Sequence, residues 1–593
     1  MRVLQYPFDA DYIIKKRKAI VRELLEQPIK FLDKKIAILG GSTTSAIKDN
    51  LEVFLLNNGI KPVFYECEYA QYWQDAMFGE ELLHFKPDVI FIHTSFRNIT
   101  DLPTLQDSQD LVNSKLQKNI SHFKTMWEKL ISTYHCPIIQ NNFERPIWRL
   151  MGNRDVWDFR GASNFVSRLN QEFYTFAQEH KDFFINDIDY LSAKYGLEKW
   201  HDAYYWHMFK YACCVPAIPE LAFSVANIVK SIYGKNKKGL VLDLDNTLWG
   251  GIVGDDGVDN LALGQEVSMG QAYTEFQSYI KQHKDLGIIL NISSKNEEEN
   301  AIAGLNHPDG VLRPDDFAVI KANWEPKSSN IGKIATTLNI GLDSLVFVDD
   351  NPVEREIVRT QVPEVVVPEV NSVEEYIRTL DGAAFFETTA FTEEDLKKSE
   401  MYAENAKRAE LEQTFTNYTD FLFSLEMNAV IKDFEPIYMQ RISQLTNKSN
   451  QFNLTTKRYS ESDMQNVASS KEHIRLYGKL TDKFGDNGVV SVVIGRKNGN
   501  VLDMELWLMS CRVLKREMEF AMLDRLVEEA SKQNIKTIKG YYYPTPKNAM
   551  VKEFYATQGF IKTNEDGVGN TEWELDVASY KKKCEVIKIN STF

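Results

Sequence analysis

The chain has 593 residues, 43% apolar and 26% charged, an ordinary globular balance that sets a soft expectation of about four domains. Its 30 glycines and 18 prolines fall short of the roughly 12% share of average proteins, which excludes a collagenous, linker-dominated or largely disordered chain. A formal charge of −15 offers no overall positive field to draw it to nucleic acid or to an anionic membrane.

In chain order, residues 34–230 alternate short apolar runs with longer periodic stretches. The runs 36–39 (IAIL), 89–93 (VIFIH) and 137–140 (PIIQ) have buried-strand length, and 104–134 and 161–181 carry helical periodicity. That alternation predicts an α/β layer with a mostly parallel sheet. The longest apolar stretch, 211–229, contains Glu220 and two prolines and reads as buried core, not as a membrane span. The N-terminus lacks a secretory apolar segment. Six scattered cysteines without a C-x-x-C pair favour a reducing compartment over a disulfide scaffold. A cytoplasmic location, with no nucleic-acid partner and no membrane span, is the resulting expectation.

The polar segment 234–239 (GKNKKG) marks a boundary, after which 240–245, 288–293 and 344–350 read as strands of a second α/β unit. Residues 383–415 turn charge-rich and helix-favouring, the pattern of a solvated connector helix. Strand-like runs at 426–431, 472–480, 488–495 and 501–509, then a helix near 516–533 and a strand near 536–541, suggest α+β. The predicted organisation is therefore 1–233, 234–382, a helical connector over 383–424, and 425–593.

Chemistry concentrates in the second unit. Asp243-Leu244-Asp245-Asn246-Thr247 closes an apolar run, where two carboxylates can converge on a cation and a phosphate from a loop. An aspartate nucleophile repels a phosphoryl dianion, so such chemistry needs Mg²⁺ between them. Ser294 follows a strand and can hydrogen-bond a phosphoryl oxygen. Lys327 can neutralise charge, and Asp349 and Asp350 close another strand and can hold the metal. In an open α/β sheet these strand ends gather along one carboxyl edge.

The ordered set resembles the haloacid-dehalogenase-like (HAD-like) phosphohydrolases, and D-x-D-x-T matches 243–247 in full. The resemblance implies that Asp243 attacks phosphorus and that Asp245 acts as acid, then base, with its backbone carbonyl on Mg²⁺. Asp243, Asp349 and Asp350 supply the metal carboxylates, Asp349 ahead of Asp350. Asn246, Thr247, Ser294, Lys295 and Lys327 form the phosphate-binding set. The intervals between Asp245, Ser294 and Lys327 leave no room for a large cap, although 250–264 can form a small flap. The substrate of so open a site is expected to be large, carrier-tethered, or covered by another domain.

Residues 243–257, 294–296, 323–331, 347–358, 449–460 and 506–519 narrow the resemblance to the FkbH-like family. It implies a multidomain α/β fold: an SGNH-like (flavodoxin-like) domain, a HAD-like Rossmannoid domain without a large cap, and a GNAT-like α+β acyltransferase domain. It also implies dephosphorylation of 1,3-bisphosphoglycerate and loading of a glyceryl group onto an acyl-carrier protein. Two alternatives stand beside it: an acyl-handling transferase for surface glycan or lipid precursors, and a scaffold with non-catalytic flanking modules.

The sequence departs from the family at identifiable places. Ser293 stands where relatives carry a cysteine, which leaves Cys511 as the acyl-carrier thiol candidate. Lys515 and Glu517 replace the glycines that would cradle the pyrophosphate of CoA, so phosphopantetheine on a carrier is the alternative to CoA. Gly40-Gly41-Ser42-Thr43 resembles the SGNH nucleophile block with glycine for aspartate. Ser42 is its nucleophile candidate, against the plainer reading of Ser42 or Thr43 as a helix N-cap. His201 and His207 are expected to sit among neighbouring aromatic residues rather than to catalyse.

Overall fold

The computed structural model describes residues 1–449, 451–545 and 547–590. They divide into two compact units, Met1–Tyr233 with Ser460–Asp463, and Gly234–Tyr459 with Met464–Phe593.

The first unit is built on five strands, β1 (Leu32–Gly40), β2 (Ile60–Glu66), β3 (Val89–His93), β4 (Ile138–Asn141) and β5 (Phe183–Asn186), in the order β2-β1-β3-β4-β5. All four pairings are parallel. The apolar runs are continuous because alternate residues enter different cores. Ile36, Ile38, Val89 and Phe91 face one core with helices Ser45–Asn57 and Ile218–Ile232. Leu39, Ile90 and Ile92 face the other with Gln109–Tyr134 and Ala162–Glu179. The longest apolar stretch therefore holds a core helix, as its composition indicated.

The second unit contains a four-stranded parallel sheet of β6 (Gly239–Leu242), β7 (Ile289–Ser294), β8 (Val319–Ala322) and β9 (Leu345–Val348), ordered β8-β7-β6-β9. Leu240, Leu290 and Val346 pack on Phe276 and Tyr376, while Val241, Ile289 and Phe347 pack on Ile331 and Ile334. Burial on both faces leaves ligands only the strand ends, and this sheet's carboxyl edge carries Asp243 and Asp349.

The same unit contains a nine-stranded sheet. Its strands are β10 (Asn428–Lys432), β11 (Phe452–Asn453), β12 (His473–Asp482), β13 (Gly485–Asn498), β14 (Val501–Met509), β15 (Thr537–Tyr542), β16 (Ile561–Glu565), β17 (Thr571–Asp576) and β18 (Lys588–Asn590). The main path runs β16-β17-β15-β14-β13-β12-β10-β18, with β11 on β14. β14 and β15 pair in parallel only over 501–503 and 537–539, then part. The chain's own segment enters the gap: β11 pairs with β14, and Leu454 donates to the Trp507 carbonyl at 3.1 Å and accepts from Tyr543 N–H at 2.9 Å.

The connector is not solvated as its composition suggested. In helix Lys398–Glu412, Met401, Tyr402, Asn405 and Arg408 are buried. Tyr402 joins the core of Ile331 and Ile334, and Arg408 pairs with buried Asp482 at 2.7 Å. The i, i+4, i+7 spacing was hidden because a buried face can include charged residues whose ends are paired.

Candidate active site at the carboxyl edge of the second sheet

β6 ends at Leu242, so Asp243 emerges at the sheet edge beside Val348, whose carbonyl accepts its N–H at 3.0 Å. β9 ends at the same edge and delivers Asp349 and Asp350. The parallel pairing of β6 with β9 sets Leu242 against Val348, which brings both acidic pairs to one level. Oxygens of Asp243, Asp349 and Asp350 lie within 4.8 Å of one another.

Lys327 enters this group from the start of helix Lys327–Leu338. Its Nζ lies 2.9 Å from Asp243 Oδ2 and 2.6 Å from Asp349 Oδ2. Burial alone would lower the ammonium, but Asp243 and Asp349 outweigh it and hold Lys327 above its ordinary range. Burial, then the charge of Asp243, pushes Asp349 up to about 7 against the pull of Lys327. Burial and Asp243 also raise Asp350. One lysine thus faces three clustered carboxylates. Asp243 Oδ1 is buried and has no hydrogen-bond partner among the described residues. An all-oxygen set with one buried lone pair unused suits a hard divalent cation.

Asp245 stands apart from the three clustered carboxylates. Its Oδ1 accepts from Trp249 Nε1 at 2.9 Å and Val253 N–H at 3.0 Å, and its Oδ2 accepts from Asn296 Nδ2 at 2.9 Å. Burial raises its pKa although the Val253 and Trp249 hydrogen bonds oppose the rise. Trp249 is fully buried against Gly304, where a Cβ would meet the indole at 2.8 Å. The short flap of 250–264 is pinned by mutual Gly250 and Ala262 backbone hydrogen bonds, and its Val253 supplies one donor to Asp245.

The remaining predicted residues divide. Ser294 ends β7, two residues beyond Ile292, which pairs with Leu242, and it is buried. Thr247 is buried, and its Oγ1 accepts from Asp350 N–H at 3.1 Å, which ties the two acidic loops together. The Asn246 side chain serves the flap instead, accepting from Gly251 N–H at 3.0 Å, with the Asn246 backbone left-handed at φ 54°. Lys295 pairs with Glu354 at 2.7 Å. Sequence reasoning gave no role to Trp249, Asn296 or Arg355. Arg355 Nη1 donates to the carbonyls of Asp349 (2.8 Å) and Asp350 (2.7 Å) and so fixes their turn. Asn296 follows Ser294 by two residues, a spacing that could have been noticed.

Cys511 is not brought to this edge. It packs on the core of Ile331, Ile334 and Tyr402, and its carbonyl accepts from Asn339 at 2.6 Å. Lys515 and Glu517 keep the left-handed backbone, at φ 65° and 60°, that glycine would adopt freely. Arg516 is buried against Asp482 at 3.1 Å and Asn405 at 2.6 Å, leaving it no phosphate to meet.

In the first unit, Ser42 is buried and its Oγ lacks a partner among the described residues, so it bonds to no histidine. The cap position of helix Ser45–Asn57 belongs to Thr44, not to Ser42 or Thr43; Thr43 Oγ1 donates to Phe209 O at 2.6 Å. Asp202 caps helix Ala203–Phe209 rather than orienting a base. His201 lies edge-on to Phe96, whereas His207 is exposed.

A family model described as the FkbH N-terminal domain matches residues 35–230. The crystal structure of the N-terminal part of protein BF1531 from Bacteroides fragilis, containing a phosphatase domain and complexed with Mg, is 32% identical. It covers 63% of this chain and 99% of its own, with a TM-score of 0.59. The ribosomal-protein-S18-alanine N-acetyltransferase from Escherichia coli is 13% identical, covering 26% of this chain and 99% of its own, with a TM-score of 0.21. A search of curated proteins found no match.

Proposed function

Because the chain belongs to the FkbH-like family, we propose that its Asp243 centre is that of a HAD-like, magnesium-dependent phosphatase or phosphotransferase. The carrying observation is a buried Asp243 with one oxygen held by Lys327 and the other without a partner among the described residues. The Mg in the Bacteroides relative supports the choice of metal. Bound by Asp243, Asp349, Asp350 and the Asp245 carbonyl, magnesium supplies the charge that lets an anionic nucleophile approach a phosphoryl group.

The chain's own residues do the rest. The free Asp243 oxygen attacks phosphorus, the P–O bond to the leaving group breaks, and an aspartyl-phosphate forms on Asp243. Asp245, raised by burial and oriented by Trp249, Val253 and Asn296, gives its proton to the leaving oxygen. It then takes one from the water that hydrolyses the intermediate. Lys327 offsets the negative charge that collects on the phosphoryl oxygens, and Ser294 is the hydroxyl in reach of them.

The small flap and the absence of a large insertion between Asp245, Ser294 and Lys327 support an open site for an acyl phosphate such as 1,3-bisphosphoglycerate. In this reading the Asp243 centre removes the phosphate ester at C3, and the carrier's thiol, losing its proton, attacks the intact acyl-phosphate carbonyl at C1, so that inorganic phosphate leaves and a glyceryl thioester forms on an acyl-carrier protein. Cys511 packs on Ile331 and Ile334 and lines the cavity at the amino end of this sheet, beside Lys238 and Ser344, so it would receive that group only after transfer between edges.

Purified protein with Mg²⁺ and 1,3-bisphosphoglycerate should release phosphate, and Asp243→Asn should lower the rate at least about 10³-fold. Undiminished release by the variant sinks the assigned nucleophile. Intact-mass analysis of an acyl-carrier protein in the same mixture tests the glyceryl step, which fails if dephosphorylation proceeds without a mass gain.

A further inference from the structure

The second unit holds a cavity of about 260 Å³ at the edge of the phosphatase sheet opposite Asp243. Lys238 and Ser344, which line it, immediately precede β6 and β9, whereas Asp243 and Asp349 follow the same strands. A strand of this length separates the two edges by about 13 Å. The far wall is formed by Met509 at the end of β14 and by Arg512 in the short turn of helix that follows it.

Its lining is strongly one-sided in charge. Lys238, Lys398, Arg441, Arg512 and Lys547 contribute cations, and Asp343 is the lone carboxylate among the residues that line it. Asp343 is already paired with Lys547, Arg441 with Glu394 at 2.7 Å, and Lys398 with Asp395 at 3.9 Å. Arg512 is 4% exposed and donates only to neutral acceptors, Met401 Sδ and Asn487 O, each at 3.1 Å. Its Nε has no partner among the described residues.

Glu394 is felt by Arg512 but lies beyond ion-pair distance, and a buried guanidinium with no carboxylate at that distance among the described residues is costly unless an anion completes it. The guanidinium fork also matches phosphate oxygens better than an ammonium does. The volume, near the lower end of small-molecule pockets, fits a sugar-phosphate-sized ligand. We infer that this cavity is a second anion site, separate from the Asp243 centre, which binds a small phosphorylated molecule between the phosphatase sheet and the C-terminal sheet. Cys511 lies in its wall and reports occupancy.

The test uses the full chain in magnesium-free buffer with inorganic pyrophosphate as probe. Calorimetry should show saturable binding, weakened about tenfold or more by Arg441→Gln and by Lys547→Gln, as expected for loss of one charge-assisted contact. Pyrophosphate should slow iodoacetamide labelling of Cys511, read peptide by peptide, and leave labelling of Cys584 unchanged. Asp243→Asn should keep both effects. Should Arg441→Gln fail to fold, the half-exposed Lys547 and a Lys238→Gln variant carry the comparison. Absence of saturable binding overturns the site, as does binding that leaves Cys511 labelling unaltered or disappears in Asp243→Asn.

Discussion

The ammonium of Lys327 lies 2.6 Å from Asp349 Oδ2, and the same nitrogen reaches Asp243 at 2.9 Å. The lysine therefore bridges the two strand ends that the sheet brings together, and it balances part of a charge that would otherwise force them apart. Its position at the start of helix Lys327–Leu338 is fixed by the Asn323–Asn330 hydrogen bond of 2.8 Å, which closes the preceding loop onto the helix.

Lys327→Met should reduce phosphate release by about 10²-fold or more, because a preorganised positive group facing the phosphoryl oxygens is lost. With the bridge removed, added Mg²⁺ should raise the melting temperature of the variant more than that of the parent. Thermal melts with and without Mg²⁺ check this, and equal increments would remove Lys327 from the charge balance.

Trp249→Phe takes away one of the hydrogen bonds that restrain the Asp245 pKa. Asp245 should then keep its proton to higher pH, and the alkaline limb of the phosphate-release profile should move up by as much as about one pH unit. A limb that stays in place would mean that Asp245 is not the acid.

Glu144 is fully buried in the first unit. Its Oε2 accepts from Phe96 N–H at 3.1 Å, its Oε1 has no partner among the described residues, and burial raises its pKa to about 8. The folded state thus binds a proton that the unfolded state releases near 4.5. This contribution to stability is fully present below pH 4.5 and is lost as pH rises toward about 8. Glu144→Gln should flatten that decline, so denaturant melts at pH 5 and pH 8 should differ less in the variant than in the parent.

Tyr402 is 3% exposed and fills the core shared by Ile331 and Ile334. Tyr402→Ala should cost about 3 kcal/mol by cavity formation. The loss should appear as a lower unfolding midpoint for the second unit, with far-UV dichroism at low denaturant unchanged. A midpoint shift no larger than that of an exposed-site control would return this helix to the role of a solvated connector.

The sequence by itself determined three of the five strands of the first parallel sheet and three of the four of the second, and it singled out Asp243, Lys327 and Asp349, whose charged ends the structure brings within ion-pair distance. A two-face-buried strand must be a short apolar run, and groups at its carboxyl end must fall along one edge. The α+β composition of the C-terminal region was legible for the same reason, from alternating runs followed by one long amphipathic helix. Tertiary structure alone decided which neighbours each polar group meets. Asn246 turned to the flap, Lys295 to Glu354, and Cys511 to the C-terminal end of the helix that begins at Lys327. The buried face of the connector was likewise unreadable, because Arg408 is polar in the sequence and becomes a core residue only when Asp482, 74 positions later, arrives to pair with it. Local spacing records what a residue can do, but burial and long-range pairing select which of those things it does.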